Sequence, residues 1–203
     1  MGKFFDTENW LWRWMGRLPE LLVLSLLWLL CCVPVVTLIP GSVALYDAIA
    51  HCYRNGEGGI YRRFFCTLKR ELKRGVLLSL LWVLLAFILY CGYNATLSGE
   101  ENNLTSAFSL VYLISMVFPV ATLCWLIPLE SRFSYGFWEL HRNAVVIAFA
   151  HLPSTVLIGA IFFGAATLVY NMPVLLPLMP AITVSVQSLP TERVLKKYMP
   201  EEE

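Results

Sequence analysis

Four long stretches of the chain contain no Asp, Glu, Lys or Arg, and they constrain the fold more than any other feature. They are residues 21–46, 75–99, 102–129 and 143–191. A helix that crosses the hydrocarbon core of a bilayer needs about 20 predominantly apolar residues. The first three stretches fit one span each, and the fourth is long enough for two. The sequence therefore predicts an all-α membrane protein, and its composition agrees, with 58% hydrophobic and only 14% charged residues.

We expect a bundle of about five transmembrane helices in a single integral membrane domain over residues 1–203. The apolar runs, and the prolines and turn residues that end them, place the spans at 21–39, 76–96, 104–127, 144–170 and 174–189. Pro34 should kink the first span, and Pro40 and Gly41 should end it. Pro177 and Pro180 interrupt the fifth span, which is also the shortest.

Basic residues in the connectors predict the orientation. Connector 41–75 contains seven Lys and Arg residues, and the positive-inside rule places such a loop in the cytoplasm. Connector 129–142 and the C-terminus are predicted to be cytoplasmic for the same reason. Five spans then put the N-terminus outside. A re-entrant first segment broken at Pro34 would reverse the side of the N-terminus, and this alternative stays open.

The stretch 61–73 has the pattern of an amphipathic helix. At 100° per residue its apolar side chains share one arc and its cations fill the opposite side. The apolar residues are Tyr61, Phe64, Phe65, Leu68 and Leu72, and the cations are Arg62, Arg63, Lys69, Arg70 and Lys73. This pattern is typical of an interfacial helix on a leaflet with anionic lipids, here on the cytoplasmic side. A docking surface for a cytoplasmic partner is the alternative interpretation.

The predicted spans contain no carboxylate, Lys or Arg, which argues against ion-coupled transport, because such proteins place ionisable side chains in the bilayer. Catalytic, nucleotide-binding and metal-binding motifs are absent from the sequence, so we expect no enzyme activity, no cofactor and no metal. A net charge of +1 gives no basis for nucleic-acid binding. The weakest hypothesis is a membrane enzyme that uses Glu130, Glu139 and His141 for acid–base chemistry.

The break in the first span is the best candidate for a functional site. Pro34, Thr37 and Pro40 interrupt the helix, and the small residues Gly41 and Ser42 allow helices to approach closely. If the break lines a cavity, its freed carbonyls and the N-terminus of the next helix could bind a polar ligand. We therefore expect a polar-ligand site at these five residues.

The segment from Trp28 to Tyr46, WLLCCVPVVTLIPGSVALY, resembles the signature of the YesL-like family. This is a group of bacterial multi-pass membrane proteins classed as a domain of unknown function. FF at 64–65, KRELKRG at 69–75, PLESRF at 128–133 and NA at 143–144 resemble further elements of that family. The resemblance implies a protein of the bacterial plasma membrane, often associated with carbohydrate-uptake systems. It supplies no catalytic residues.

Two functions stay open from the sequence. The first is a non-enzymatic accessory protein, linked to carbohydrate uptake, that binds a partner membrane protein such as a transporter or a sensor. The basic stretch 61–73 and the resemblance favour it. The second is a small transporter or channel subunit for an uncharged solute such as a sugar. The helix breaks at Pro34 and Pro40 and at Pro177 and Pro180 favour this second function.

Overall fold

A computed structural model describes residues 10–53, 59–97, 103–133, 135–195 and 197. Within these ranges the chain is helical and contains no strand, which confirms the all-helical fold class. The α-helices are α1 (Trp10–Cys32), α2 (Leu38–Ala48), α3 (Ile60–Leu97), α4 (Asn103–Arg132), α5 (Phe137–Ala150), α6 (Leu152–Asn171) and α7 (Met179–Leu195). Short turns of 3₁₀ helix cover Val35–Thr37 and Pro173–Leu175, and a π-helical turn covers Ile49–Tyr53.

Three helical segments of the described chain are long and apolar enough to cross a membrane. They are Ile60–Thr96, Phe108–Arg132 and Leu152–Asn171. Large apolar side chains such as Phe87, Ile114 and Phe163 are exposed on them, as expected for surfaces that face lipid rather than water. The chain is therefore a membrane protein with a helical bundle, and its other two predicted spans take a different form.

The first predicted span, 21–39, is not one kinked helix, and that prediction was wrong. Helix α1 ends at Cys32, the chain reverses through the 3₁₀ turn, and α2 returns beside α1. Trp28 Nε1 on α1 donates to Ser42 Oγ on α2 at 3.1 Å. Nearer the start of α1, Leu24 shares a buried cluster with Ala48 at the end of α2. Segments α1 and α2 therefore form an antiparallel helical hairpin.

Proline chemistry explains why the chain reverses where it does. Pro34 has no N–H, so it cannot continue the hydrogen-bond ladder of α1. The hydroxyl of Thr37 donates to the carbonyl oxygens of Cys31 and Pro34, which satisfies groups that the break would leave open. Pro40 and Gly41 do not end a helix as predicted. They lie in the first turn of α2, where a proline is tolerated because its N–H would have no helical partner.

Helix α3 joins two segments that the sequence predicts as separate, the amphipathic stretch 61–73 and the span 76–96. It runs for 38 residues without interruption, which is about 57 Å at 1.5 Å per residue. Gly75 lies inside this helix and packs against the ring of Pro40: a Cβ at Gly75 would be 2.8 Å from Pro40 Cβ and Cδ. The glycine thus lies within one continuous helix and allows the hairpin to approach α3 closely.

The remaining predicted boundaries also shift. Helix α4 passes the predicted end at 127 and continues through Pro128 to Arg132. The predicted fourth span, 144–170, is divided at His151 into α5 and α6, since Pro153 cannot donate to the carbonyl of Phe149. Helix α7 begins later than the fifth predicted span and ends beyond it, at Leu195.

Helix α7 packs inside the bundle although its sequence is polar. Its start is held by Ser25 of α1, whose Oγ accepts from Ala181 N at 3.0 Å and donates to Leu178 O at 3.4 Å. Its buried polar residues are Thr183, Ser185, Gln187, Ser188, Thr191 and Glu192. Several of them bond back to their own helix, as Ser and Thr do in apolar surroundings. Helix α7 therefore carries a polar group, Glu192, to the end of the bundle where α2, α3 and α4 meet.

Candidate functional site

A chain of hydrogen bonds and ion pairs joins four helices at one end of the bundle. We call it the polar network, and its members are Tyr46, Asp47, His51, Arg63, Thr67, Arg132 and Glu192. They come from α2 and the following π turn, from the first three turns of α3, from the last residue of α4 and from α7. The network therefore lies where the apolar part of the bundle ends.

Asp47 is the centre of one half of the network. It is 2% exposed, and its Oδ2 accepts from Thr67 Oγ1 at 2.6 Å and from Arg63 Nε at 3.0 Å. Asp47 lies outside the three membrane-crossing segments. Burial alone would raise the pKa of this carboxyl, but the hydrogen bonds from Arg63 and Thr67 and the positive charge of Arg63 outweigh burial and lower the pKa below its ordinary value. Asp47 is thus held in its ionised form.

His51 connects the two halves. Its Nδ1 lies 2.9 Å from Asp47 Oδ1, and its Nε2 lies 2.8 Å from Arg132 Nη1. A guanidinium can only donate, so Nε2 must accept, and the proton of a neutral imidazole is then on Nδ1 and points to Asp47. The π-helical turn at Ile49–Tyr53 brings the ring to this position, in keeping with the frequent occurrence of π turns at functional sites.

Glu192 is the centre of the other half. Arg132 donates to its Oε1 through Nε at 3.0 Å and through Nη2 at 2.8 Å, and Tyr46 donates to the same oxygen at 3.0 Å. With His51 neutral, the network contains two carboxylates and two guanidiniums, so its formal charges cancel. Such balanced pairing lets charged groups lie in a low-dielectric interior, and it fixes the relative positions of the helices that carry them.

A polar cavity of about 330 Å³ lies beside the network. Its walls are Arg70, Glu71, Arg74, Glu130, Ser131, Arg132 and Phe133. Arg132 belongs to both the cavity wall and the polar network. Arg74 donates to the carbonyl of Tyr135, and its Nε lies 3.3 Å from Glu130 Oε1. Glu130 lies in the predicted cytoplasmic connector 129–142, but the structure buries it on α4.

A second cavity, of about 500 Å³, is mainly apolar. Trp28, Ser42 and Leu45 of the hairpin line it on one side, and Met179 and Pro180 at the start of α7 line it on another. The two proline-broken regions thus face a common space. Most polar atoms in its walls are already used within the protein: Ser42 donates to Leu38 O, Tyr46 to Glu192 and Gln187 to Cys124 O.

The five residues predicted as a polar-ligand site do not converge on a cavity. Only Ser42 lines the apolar cavity. Thr37 bonds to the carbonyls of the hairpin turn, Pro40 packs against Gly75, and a Cβ at Gly41 would be 3.3 Å from Cys31 Cβ. In the structure these residues form the hairpin and its contact with α3, and the freed carbonyls of the break are bonded by Thr37.

The five predicted surface cations of α3 divide into two groups. Arg63 turns inward to Asp47, and Arg70 pairs with its neighbour Glu71 at 2.7 Å and lines the polar cavity. Arg62, Lys69 and Lys73 are exposed. The apolar arc divides as well, because Phe64 is fully buried against the hairpin whereas Phe65 is 52% exposed.

The three residues predicted for acid–base chemistry, Glu130, Glu139 and His141, lie in three different environments. Glu130 faces the polar cavity, Glu139 bonds to the backbone N–H of Gly136 at the start of α5, and the ring of His141 stacks on Trp82. Nδ1 of His141 bonds to Phe137 O at 2.9 Å. The structure does not bring the three side chains together as an acid–base group.

Comparison with known proteins supports the resemblance seen in the sequence. Residues 21–93 match the profile of a family described as "Protein of unknown function, DUF624". The chain is also similar to the "Uncharacterized protein YesL" of Bacillus subtilis (strain 168), with 27% identity over 157 residues, or 77% of this chain and 73% of the relative. Together, the two matches support a relationship to the YesL-like family. No solved structure matches it.

The part that matches this family profile comprises most of the hairpin and most of α3. It contains Asp47, His51, Arg63 and Thr67, whereas Arg132 and Glu192 lie outside it. Asp47, His51 and Glu192 are not among the site residues predicted from the sequence. The available signal was positional: Asp47 and Glu192 each directly follow a charge-free stretch, and Asp47 and His51 are four residues apart, on one helix face.

Proposed function

We propose that this protein is a non-enzymatic accessory protein of the bacterial plasma membrane that binds a partner membrane protein through α3. The observation that carries the proposal is an exposed face on the first four turns of α3. We call it the basic stripe, and it consists of Arg62, Phe65, Lys69, Leu72 and Lys73. Spacings of three and four residues place these side chains on one side of the helix.

The basic stripe lies opposite the face by which α3 packs on the hairpin. Phe64 and Thr67 on that packing face are buried, whereas Phe65 and Leu72 of the stripe are 52% and 39% exposed. A helix of about 57 Å exceeds the hydrocarbon core of about 30 Å. The stripe therefore extends beyond the core, into the layer of headgroups and cytoplasm that its positive charge favours.

Cations interleaved with exposed apolar side chains fit a partner surface that is acidic and partly apolar. Aromatic side chains provide much of the binding energy at protein interfaces, and complementary charge directs the approach of the partner. We propose an acidic cytoplasmic helix or loop of a membrane transport component as the partner. The carbohydrate-uptake association implied by the family resemblance makes a sugar transporter the first one to test.

The polar network supports a binding role rather than catalysis. Its carboxylates, guanidiniums and imidazole are used to hold α2, α3, α4 and α7 together. In this proposal the network keeps α3 fixed against the hairpin, so that the basic stripe is presented as a rigid surface. Preorganised surfaces bind more tightly because less conformational entropy is lost on association.

A second candidate function is transport of a small uncharged solute, and the apolar cavity favours it. This cavity brings the hairpin and the start of α7 together, as expected for helices broken at a binding site. Its mainly apolar walls lack the hydrogen-bond partners that a sugar needs, so an apolar solute fits it better. Flux of neutral solutes into liposomes containing the purified protein tests this function, and absence of flux contradicts it.

The partner proposal is tested by photo-crosslinking in native membranes. A photoreactive residue replaces Phe65, and we expect one adduct with a membrane transport component. The double variant K69E/K73E should reduce that adduct about tenfold or more, because loss of complementary charge slows association. The control R142E reverses an exposed cation on α5 and should leave the adduct unchanged. Adducts with lipid alone, or an adduct insensitive to charge reversal, would contradict the proposal.

A further inference from the structure

The polar cavity between α3 and α4 has the features of a ligand site that the proposed function does not use. None of the residues of the basic stripe lines it. This polar cavity, which Glu130 and Arg74 help to line, is called the Glu130 cavity from here on. One water molecule, with its single non-hydrogen atom, occupies about 30 Å³. On that scale the cavity volume of 330 Å³ holds roughly ten non-hydrogen atoms.

Glu130 presents unsatisfied hydrogen-bond acceptors to this cavity. The residue is 6% exposed, and neither carboxylate oxygen accepts a hydrogen bond from the described part of the chain. Arg74 Nε is 3.3 Å from Oε1, which gives an ion pair without hydrogen-bond geometry. Oγ of the neighbouring Ser131 is also buried without a partner there. Buried acceptors without donors are costly, so this side of the cavity is complementary to a group rich in N–H donors.

The same cavity contains positive charge on α3. The guanidinium of Arg74 is positioned by its bond to the carbonyl of Tyr135 and by Glu130. Arg70 is bonded through Nε to Glu71, and its side chain is 60% exposed, so it can reach toward the cavity entrance. Guanidiniums bind phosphate through several N–H groups at once. A ligand that carries both an amine and an anionic group therefore complements the cavity, with the amine at the acceptor side and the anionic group at the guanidiniums.

The level of the cavity along the bundle indicates the source of such a ligand. Arg74 is one turn before Leu77, which is 58% exposed, and exposed apolar residues continue from there along α3. Arg74 therefore lies at the edge of the surface that faces lipid tails, at the depth of the headgroups. We propose that the Glu130 cavity binds a phosphoethanolamine group, with its ammonium at Glu130 and its phosphate at Arg74 and Arg70.

Comparison of two phospholipids tests the proposal on the unaltered protein. Ethanolamine has three N–H donors for Glu130, whereas the quaternary ammonium of choline has none. Delipidated protein is offered an equimolar mixture of phosphatidylethanolamine and phosphatidylcholine with identical chains, and the retained lipid is measured by native mass spectrometry. We expect about tenfold more phosphatidylethanolamine, the factor that one charge-assisted hydrogen bond provides. Equal retention of the two lipids would overturn the proposal.

Variants of the cavity residues test whether the preference for phosphatidylethanolamine arises in the Glu130 cavity. E130Q keeps the side-chain volume but removes the charge that attracts the ammonium, and it should abolish the preference for phosphatidylethanolamine. R74Q should reduce retention of both lipids, because both have a phosphate. The matched control E20Q changes an exposed carboxylate on α1 and should behave like the unaltered protein. A preference that survives in E130Q would overturn the assignment, and the lipid comparison decides the proposal if that variant does not fold.

A soluble competitor distinguishes the two sources of the group. Glycerophosphoethanolamine has the same headgroup without acyl chains. If it binds the delipidated protein and displaces phosphatidylethanolamine, and if E130Q abolishes both effects, the cavity accepts the free compound. If only the lipid binds, the cavity is a lipid-headgroup site. Both outcomes support the phosphoethanolamine assignment, whereas binding of neither compound to the unaltered protein contradicts it.

Discussion

Two N–H groups of Arg132 donate to the same oxygen of Glu192, at 3.0 and 2.8 Å, although the residues are 60 positions apart in the chain. The pair joins α4 to α7, and its side chains are only 13% and 6% exposed. Because Arg132 also donates to His51, it links the Glu192 half of the polar network to the Asp47 half. We therefore expect this pair to be the most sensitive position in the bundle.

The variant R132M should lower the free energy of unfolding by about 3–5 kcal/mol, since it leaves the buried carboxylate of Glu192 unpaired. Replacing both residues in R132M/E192M should recover much of that loss, because the double variant buries no charge without a partner. Unfolding in detergent micelles measures the difference. The control R142M removes an exposed arginine on α5. Equal losses in R132M and R142M would contradict a central role for the pair.

Asp47 should give the stability of the protein a defined dependence on pH. Its pKa is lower in the folded protein than its ordinary value of 3.8. A carboxyl whose pKa is lower in the folded than in the unfolded protein stabilises the fold. This contribution is complete at pH values above the unfolded-state pKa, and it is lost as the pH falls through the folded-state pKa. At pH 7 the variant D47N should be less stable than the unaltered protein by about 1.5–3 kcal/mol.

Below a pH of about 4, that difference between D47N and the unaltered protein should shrink, because protonation removes the charge from Asp47. Unfolding curves of both proteins from pH 3 to pH 7 measure it, and the other carboxyls cancel in the comparison. A difference that stays constant over the whole range would show that the charge of Asp47 does not contribute.

The sequence predicted the membrane location and the helical class because both depend on composition along short windows. The absence of Lys, Arg, Asp and Glu from four stretches is sufficient for that. The path of the chain depends on tertiary contacts. Pro34 predicted a break in the first span, but the reversal of the chain also requires Thr37 to bond the freed carbonyls. Gly75 lies between the predicted stretch 61–73 and the predicted span 76–96, but inside α3 its role is to accept the ring of Pro40.

The polar network was even less accessible from the sequence. Its members Asp47, Arg132 and Glu192 are separated by 60 residues or more, and nothing local distinguishes a buried carboxylate from a solvated one. The basic residues of connector 129–142 predict that it is a cytoplasmic loop, and Glu130 lies in that connector. The end of the bundle continues beyond the apolar stretches, however, and α4 and α7 bury their last turns against α2 and α3.

Close contact between Gly75 and Pro40 predicts a size limit at position 75. In G75A the new methyl group would lie 2.8 Å from two atoms of a rigid proline ring, so α2 or α3 must shift. We expect a loss of about 1–3 kcal/mol in the free energy of unfolding, as for other overpacked interiors. The matched control is G159A, because a Cβ there meets no atom within 4 Å.

On helix propensity alone, G159A should be neutral or more stable by about 0.5–1 kcal/mol. The two alanine variants should therefore have opposite signs when measured side by side in the same detergent. If G75A is as stable as G159A, the hairpin does not pack on α3 as closely as the structure indicates.

The hydroxyl of Thr155 links the break between α5 and α6 to α4. It accepts from Trp125 Nε1 at 2.9 Å and donates to Ala148 O at 2.9 Å, a carbonyl near the end of α5. T155V keeps the shape of the side chain but leaves the buried indole N–H without an acceptor. We expect a loss of about 1–2 kcal/mol in the free energy of unfolding in detergent.

The control for T155V is T167V on the same helix. The Thr167 hydroxyl is exposed and bonds only to Phe163 O, one turn earlier, so its removal should change stability by less than about 0.5 kcal/mol. A loss in T155V that exceeds the loss in T167V shows that the hydroxyl acts between helices. Equal effects would mean that Thr155 serves only its own helix, and the link between α4 and α6 would then depend on apolar packing alone.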